Sequence, residues 1–261
     1  MQVIENLLTE TARAISFLSR LSVPNRYFAG HDGSLRRTVA AFPLAGLVIA
    51  LPATLMIGLL SAAGAKAVLV ALIAVTAQIM LTGALHEDGL SDTADGLGGG
   101  GSREKALSIM KDSRIGTYGA LALILSVAMR VAALAILVEA LPPLAAALSW
   151  LAVAALSRTL LVWHWSSLPS ARTDGVAASA GIPDTEATRT AYVLGAASTV
   201  ALSIVALPFH AWFLASAFAL AGVFIFTRHC RTRLAGHTGD TLGASQQVCE
   251  IAFLMTLAIV V

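Results

Sequence analysis

Residues 86–116 read HEDGLSDTADGLGGGGSREKALSIMKDSRIG, a polar stretch in a chain built mostly of long apolar runs. Glu87, Asp88, Asp92, Asp95, Glu104 and Asp112 meet Arg103, Lys105, Lys111 and Arg114 around the four consecutive glycines Gly98 to Gly101. If residues 88–95 are helical, the spacings place Asp88, Asp92 and Asp95 on one narrow stripe. Three unpaired carboxylates on one stripe repel each other, and a divalent cation would stabilise them. Aspartate-only ligation suits a hard ion such as Mg²⁺ rather than Zn²⁺, which prefers Cys and His. The competing reading is a solvated acidic loop between two helices. The third aspartate in phase, the glycine run and the basic residues downstream favour a metal and phosphate site.

Outward from this stretch the chain is apolar. Its 261 residues are 57% hydrophobic and 12% charged, with a mean hydropathy of +0.80. A soluble domain carries about a quarter charged residues. Segments long enough to cross about 30 Å of hydrocarbon recur, which predicts a polytopic membrane protein. The net charge of +2 makes no case for nucleic-acid binding. Cys230 and Cys249 lack C-x-x-C spacing, so neither a zinc site nor a disulfide framework is expected. The first strongly apolar span begins near Val39, too late for a cleavable signal peptide.

Residues 3–21 place Ile4, Leu7, Leu8, Ile15, Leu18 and Leu21 near helical spacing, interrupted by Glu5, Glu10, Arg13 and Arg20. This predicts an amphipathic helix lying in the membrane interface. About seven transmembrane helices follow, near residues 39–63, 67–85, 115–138, 144–163, 191–207, 211–227 and 244–261. The fold class is therefore all-α, a polytopic integral membrane protein in a single membrane domain spanning 1–261, with a 1–37 interfacial segment. Polar loops are expected at 86–114, at 164–190 (with Pro169, Asp174, Gly175, Pro183, Asp184 and Arg189) and at 228–243. With the N-terminus inside, these loops and the N-terminal segment hold every Lys and Arg except Lys66, Arg130 and Arg158. That asymmetry fits the positive-inside rule and puts the polar loops on the cytoplasmic face. No internal repeat is visible.

Further groups could carry chemistry. Gly98 to Gly101 offer N–H groups that could receive a phosphate, or form a flexible linker. Ser102 is a plausible N-cap, and Lys111 and Arg114 share a face of the helix that follows. They suit a diphosphate, and equally a positive-inside anchor. In the segment GHTGDTLG, residues 236–243, Asp240 is a candidate site acid. Gln246 and Glu250 lie on one helical face, and an acid inside a span suggests function or a structural pair with Arg130 or Arg158. His86 offers a general base, but an ideal helix projects it almost opposite Asp88. An interfacial histidine is the alternative, and His164, between Trp163 and Trp165, reads the same way.

At these residues the sequence resembles the cobalamin synthase family. The family pattern H-x-D-G-L-x-D-T-x-D-G stands here as HEDGLSDTADG. The element M-K/R-D-S-R-x-G stands as Met110-Lys111-Asp112-Ser113-Arg114-Ile115-Gly116, and G-x-T-G-D-x-L-G-A as GHTGDTLGA, followed by Glu250. The opening FLSRLSVP, the later FPLAG and Ser157-Arg158 extend the likeness from near residue 15 to the end. Glu87 departs from the usual apolar residue after the histidine, and the glycine run is unusually rich.

The resemblance implies an enzyme that joins adenosylcobinamide-GDP (GDP-cobinamide) to α-ribazole, or its 5′-phosphate, releasing GMP. It implies a Mg²⁺ cofactor, the lipid bilayer of the bacterial inner membrane, and the N-terminus and site loops in the cytoplasm. Asp88, Asp92 and Asp95 would be the metal ligands and, with His86, the catalytic group. Lys111, Asp112, Ser113, Arg114, Asp240, Arg158 and Glu250 would bind substrate. A homo-oligomer, or association with other corrinoid-pathway enzymes, is compatible with this reading. Two rivals remain at this level. A CDP-alcohol phosphotransferase also sets aspartates at a membrane surface, but its D-x-x-D-G-x-x-A-R signature breaks after Gly96. A transporter would use Arg130, Arg158 and Glu250 inside the bilayer.

Overall fold

A computed structural model describes residues 2–173, 175 and 180–261, and side chains from residue 5 onward. Asp174, expected in the polar loop, lies outside the described residues. Among those described the regular structure is helical, apart from an isolated bridge between Ser170 and His237. In chain order the α-helices are α1 (Gln2–Leu18), α2 (Phe42–Ala62), α3 (Ala67–Thr82), α4 (Leu85–Gly99) and α5 (Arg103–Ile109). They continue as α6 (Thr117–Ala140), α7 (Pro143–Ser167), α8 (Thr185–Ala206), α9 (Phe209–Leu234) and α10 (Gly239–Val260).

The protein is an all-α, multi-pass membrane protein. Six of the described helices are long and apolar enough to span alone. Their outer faces carry exposed Leu55 and Leu59 on α2, Ile124 and Leu125 on α6, and Phe213 and Phe218 on α9. Apolar surface of this extent suits lipid and not water. Within the bundle α7 is enclosed on nearly all sides, packed against α2, α8 and α10. Its alternation of Ala, Ser and Thr with large residues lets these three helices approach it closely. α1 rests on the start of α2: Glu10 accepts from the Thr38 hydroxyl and pairs with Arg13, and Ala14 and Leu18 are buried.

The helices run past the ends expected from hydropathy. α9 continues through Arg228, Arg231 and Arg233 to Leu234, and α10 begins at Gly239. Charge marks where hydrocarbon ends, but a helix continues until a cap or a left-handed residue stops it. Ala235 is that residue for α9, at φ 54°.

The second expected span and the acidic loop are where the structure departs most. α3 has only 16 residues and meets α4 at a bend of 87°. The bend is made by two consecutive left-handed residues, Gly83 at φ 63° and Ala84 at φ 59°. α4 is thus not the continuation of α3, and we assign the crossing to α3 and leave α4 outside the spanning segments. The region read as a loop at 86–114 is mostly helical, as α4 and α5. It folds this way because one side of α4, with His86, Glu87, Gly89, Thr93 and Gly96, is buried against neighbouring helices, chiefly α6 and α10. A solvated loop would have had no such partners.

Candidate active site

Two motifs some 150 residues apart form one helix contact. A Cβ added to Gly89 of α4 would come within 2.6 Å of the Asp240 carbonyl oxygen. A Cβ on Gly243 of α10 would lie 3.2 Å from the His86 Cα. Glycine on both faces lets the two backbones touch, and this brings Asp88 and Asp240 to one opening. α10 starts there because Thr238 caps it. The Thr238 hydroxyl accepts from the Thr241 N–H at 3.2 Å, and the Thr241 hydroxyl accepts from the Thr238 N–H at 2.9 Å. Two amides at the start of the helix so gain partners.

The segment after α7 is stitched to this cap. The His237 N–H donates to the Pro169 carbonyl at 2.9 Å and the Ala171 N–H to the His237 carbonyl at 2.8 Å. A Cβ on Gly236 would meet the Pro169 carbonyl oxygen at 2.4 Å or less than any real side chain tolerates, so only glycine fits the join. The stitching aims Arg172 at the acids. Its Nη1 stands 3.5 Å from Asp240 Oδ2, and its Nη2 donates to the Leu107 carbonyl at 2.9 Å. Asp88, Asp240 and Arg172 form the polar end of a cavity of about 360 Å³ whose other walls include Phe17, Leu161 and Trp165.

Around this opening the acids are under-neutralised. Burial, reinforced by the charges of Asp88, Asp240 and Asp95, pushes the Asp92 carboxyl up to about 6, against the opposing pull of Arg172. Asp88 is exposed and Asp92 half-buried. Asp95 differs. Its Oδ2 accepts from the Gly116 N–H at 2.7 Å and its Oδ1 from the Gly119 N–H at 2.8 Å, so it caps α6. An acid at a helix N-terminus is favoured there, and a Cβ on either glycine would collide with the carboxylate. Any ligation by Asp95 is left to the lone pairs these bonds spare. Among the described residues, no three Asp, Glu, His or Cys side chains converge closely enough to hold an ion by themselves.

Lys111, Ser113 and Arg114 are exposed in the segment between α5 and α6, outside the cavity wall. Arg114 Nη2 lies 2.6 Å from Asp112 Oδ2, and its hydrogen bonds hold the Asp112 carboxyl down at about 2. This patch is tied to the stripe through Asp95 and Gly116. Ser102 caps α5 by accepting from the Lys105 N–H at 3.2 Å, as expected. Most of the glycine run is taken up by the helix end, and only Gly101 stands in open space. Gly98 and Gly99 end α4, the Gly100 N–H donates to the Gly96 carbonyl, and a Cβ on Gly100 would meet Ala106 at 2.6 Å.

A second polar group, fully buried, lies elsewhere along α4 and α10. Arg130 Nη2 is 2.9 Å from Glu87 Oε1, and its Nη1 is 3.9 Å from Glu250 Oε1. The Gln247 amide donates to Glu87 Oε1 at 3.2 Å, and Gln246 donates to Glu250. Arg158 donates to the Ser157 hydroxyl at 3.0 Å, and the Gln246 amide stands 3.3 Å from the same oxygen. Arg158 and Glu250 therefore sit apart from the cavity, in a balanced cluster. His86 is buried beside it, acted on electrostatically by Arg158 and Arg130, and its ring nitrogens have no hydrogen-bond partner among the described residues. It is not an interfacial residue: it lines the same cavity as Asp88, but both ring nitrogens are sealed inside the protein. His164 is also buried: Nδ1 lies 2.7 Å from the Thr227 hydroxyl and Nε2 3.1 Å from that of Thr241. An interfacial position is ruled out for it because α7 is the central helix.

Two participants were not singled out from sequence. Arg172 is the one Lys or Arg between residues 168 and 184, a signal that was available. Glu87 looked like a mere departure from a family pattern, and nothing local to it indicates Arg130.

The profile of the Cobalamin-5-phosphate synthase family matches residues 10–258. An adenosylcobinamide-GDP ribazoletransferase from Sinorhizobium medicae is 53% identical over 263 residues, covering 100% of both chains. One from Rhizobium etli is 54% identical over 257 residues, 98% of each chain. One from Azorhizobium caulinodans is 43% identical over 258 residues, covering 97% of this chain and 96% of its own. No solved structure matches.

Proposed function

The chain belongs to the cobalamin-5-phosphate synthase family, and we propose that the α4–α10 junction is where it joins the family's two substrates. It is a transferase of cobalamin biosynthesis, an adenosylcobinamide-GDP ribazoletransferase in activity. A hydroxyl of α-ribazole, or of its 5′-phosphate, attacks the cobinamide-side phosphorus of adenosylcobinamide-GDP. The new P–O bond replaces the bond to the GMP phosphate, GMP departs, and the hydroxyl proton passes to an aspartate of the cavity. The observation that carries this assignment is the meeting of Asp88, Asp92 and Asp240 with Arg172 where two distant motifs touch.

The donor set suits Mg²⁺. Carboxylates that repel each other are hard oxygen ligands lacking a counter-charge, and Mg²⁺ is usually held by one or two carboxylates plus substrate phosphates rather than by an all-protein cage. Asp88 and Asp92 would hold it, with Asp95 as the third acid of the stripe, whose bonds to α6 fix the stripe in place. Bound there, the ion would neutralise the diphosphate and the charge developing on GMP. Arg172 would orient phosphate oxygens inside the opening. Lys111 and Arg114, with Asp112 and Ser113, would receive the bulky nucleotide outside it. An aspartate as proton acceptor accords better with the geometry than His86, whose ring nitrogens are sealed from the cavity it lines.

The positive-inside asymmetry supports an inner-membrane protein with the site on the cytoplasmic face, where GDP-cobinamide and ribazole are at hand. Self-association, or docking to other corrinoid-pathway enzymes, would be compatible with that arrangement. The test is GMP release by the purified protein given GDP-cobinamide, α-ribazole and Mg²⁺. Release that stops on chelation and returns with Mg²⁺ supports the reading. Absence of release, with substrate flux in vesicles instead, would overturn it.

A further inference from the structure

The two substrates differ greatly in size, and the site has one partly open cavity. The cavity of about 360 Å³ lies at the small end of the range for ligand pockets, about 300 to 1,000 Å³. A corrin macrocycle bearing GDP cannot enter it. A two-ring aromatic base on a ribose can.

We propose that this cavity is the acceptor subsite, taking the flat aromatic base of the ribazole against its apolar wall with the ribose at its acidic end. The inference rests on the transferase reading above. The wall and the acidic end divide as the ligand does. Phe17 from α1, Leu161 and Trp165 from α7, and Leu242 from α10 supply the apolar side. Asp88, Asp240 and Arg172 supply the polar side, where a ribose hydroxyl meets carboxylates and, beyond them, the diphosphate. The wall is stiff. Phe17 stacks on Phe42 with centroids 6.0 Å apart, and Trp165 packs against Phe42 and His237 at 6.2 Å each.

A further observation concerns Trp165. Trp165 is 1% exposed, lines the cavity, and its indole N–H has no partner among the described residues. Buried indole N–H groups ordinarily find an acceptor. No water-sized group reaches this one, so what the cavity offers a base is the indole ring and not its N–H. The arrangement also gives α1 a purpose: the interfacial helix closes the acceptor pocket through Phe17 and Leu18.

The test uses the full-length protein in detergent. α-Ribazole alone should quench tryptophan fluorescence saturably, and Trp165→Phe should remove that quench although three other tryptophans remain. In turnover, Leu161→Trp, which fills the cavity, should raise the KM for α-ribazole about tenfold or more while leaving that for GDP-cobinamide unchanged. No quench in the native protein, or one that persists in Trp165→Phe, overturns the subsite. So does a Leu161→Trp enzyme that releases GMP with an unaltered ribazole KM or a raised GDP-cobinamide KM. A native protein that binds ribazole at Trp165 but never releases GMP breaks the transferase reading and leaves the pocket standing.

Discussion

α4 and α10 carry two separate polar clusters, built from nearly the same residue types. On one side Asp88, Asp92 and Asp240 crowd together with Arg172 as the nearby cation. On the other, Glu87 and Glu250 face Arg130 and Arg158, two charges of each sign, with Gln246 and Gln247 filling the gaps. The first cluster is half open and short of positive charge. The second is sealed and balanced. On the proposed function, their difference separates acids that would serve a ligand from acids that serve the fold. An under-neutralised carboxylate near water is tolerable and ready for a cation, whereas one buried among helices must be matched inside the protein.

The strongest way to break this comparison is Glu87→Ala. Arg130 would be left buried without its 2.9 Å partner, at a cost of about 3–5 kcal/mol. Unfolding in detergent should show that loss, while GMP release per folded molecule stays near native. A Glu87→Leu/Arg130→Met pair should recover most of the stability, since a matched apolar replacement of a buried ion pair is often neutral. If Glu87→Ala left stability unchanged and abolished release, the sealed cluster would belong to the site.

Asp92→Ala should behave in the opposite way. GMP release should fall by roughly 10²–10³-fold, the scale for losing one electrostatic stabiliser of the transition state. The unfolding midpoint should hold or rise, because a like-charge repulsion is removed. Gly89→Val should damage both sides together, since its Cβ meets the Asp240 carbonyl oxygen at 2.6 Å. Overpacking at such a contact costs about 1–3 kcal/mol. Mg²⁺-dependent release and thermal stability should drop in the same variant.

The gentlest test is pH. The Asp92 carboxyl is raised to about 6, so below that value a proton competes with the cation. Apparent Mg²⁺ affinity should weaken by about tenfold per pH unit below the pKa and level off above it. Calorimetric Mg²⁺ titration across that range reads the slope, and Asp92→Asn should flatten it. A slope that survived in Asp92→Asn would move the competing proton to another acid.

Much of this could be read from residue order. The spans follow from runs such as residues 39–63, because hydrocarbon selects apolar segments locally and one at a time. The aspartate stripe follows from the spacing 88/92/95, and the Ser102 cap from its place before Arg103. The resemblance to a family rested on ordered motifs, which need no coordinates. Asp95 shows where such reading stops. Its spacing fits a ligand, yet Gly116 and Gly119 take both oxygens because α6 happens to begin beside it. Arg172 went unremarked in a polar segment until the join of Pro169 and Ala171 to His237 turned it toward Asp240.

What the sequence determined by itself was the helical, membrane-crossing class, the position of the acidic stretch, and the residue types available to it. Those depend on local composition and helical period. Only the tertiary structure decided that α4 turns away from α3 by 87°, that Gly89 and Gly243 bring two motifs together, and that the neighbours Glu87 and Asp88 serve different clusters. The reason is that neutralising a charge is a property of pairs. Which acid finds an arginine, which finds an amide and which stays open for a cation depends on where distant helices meet.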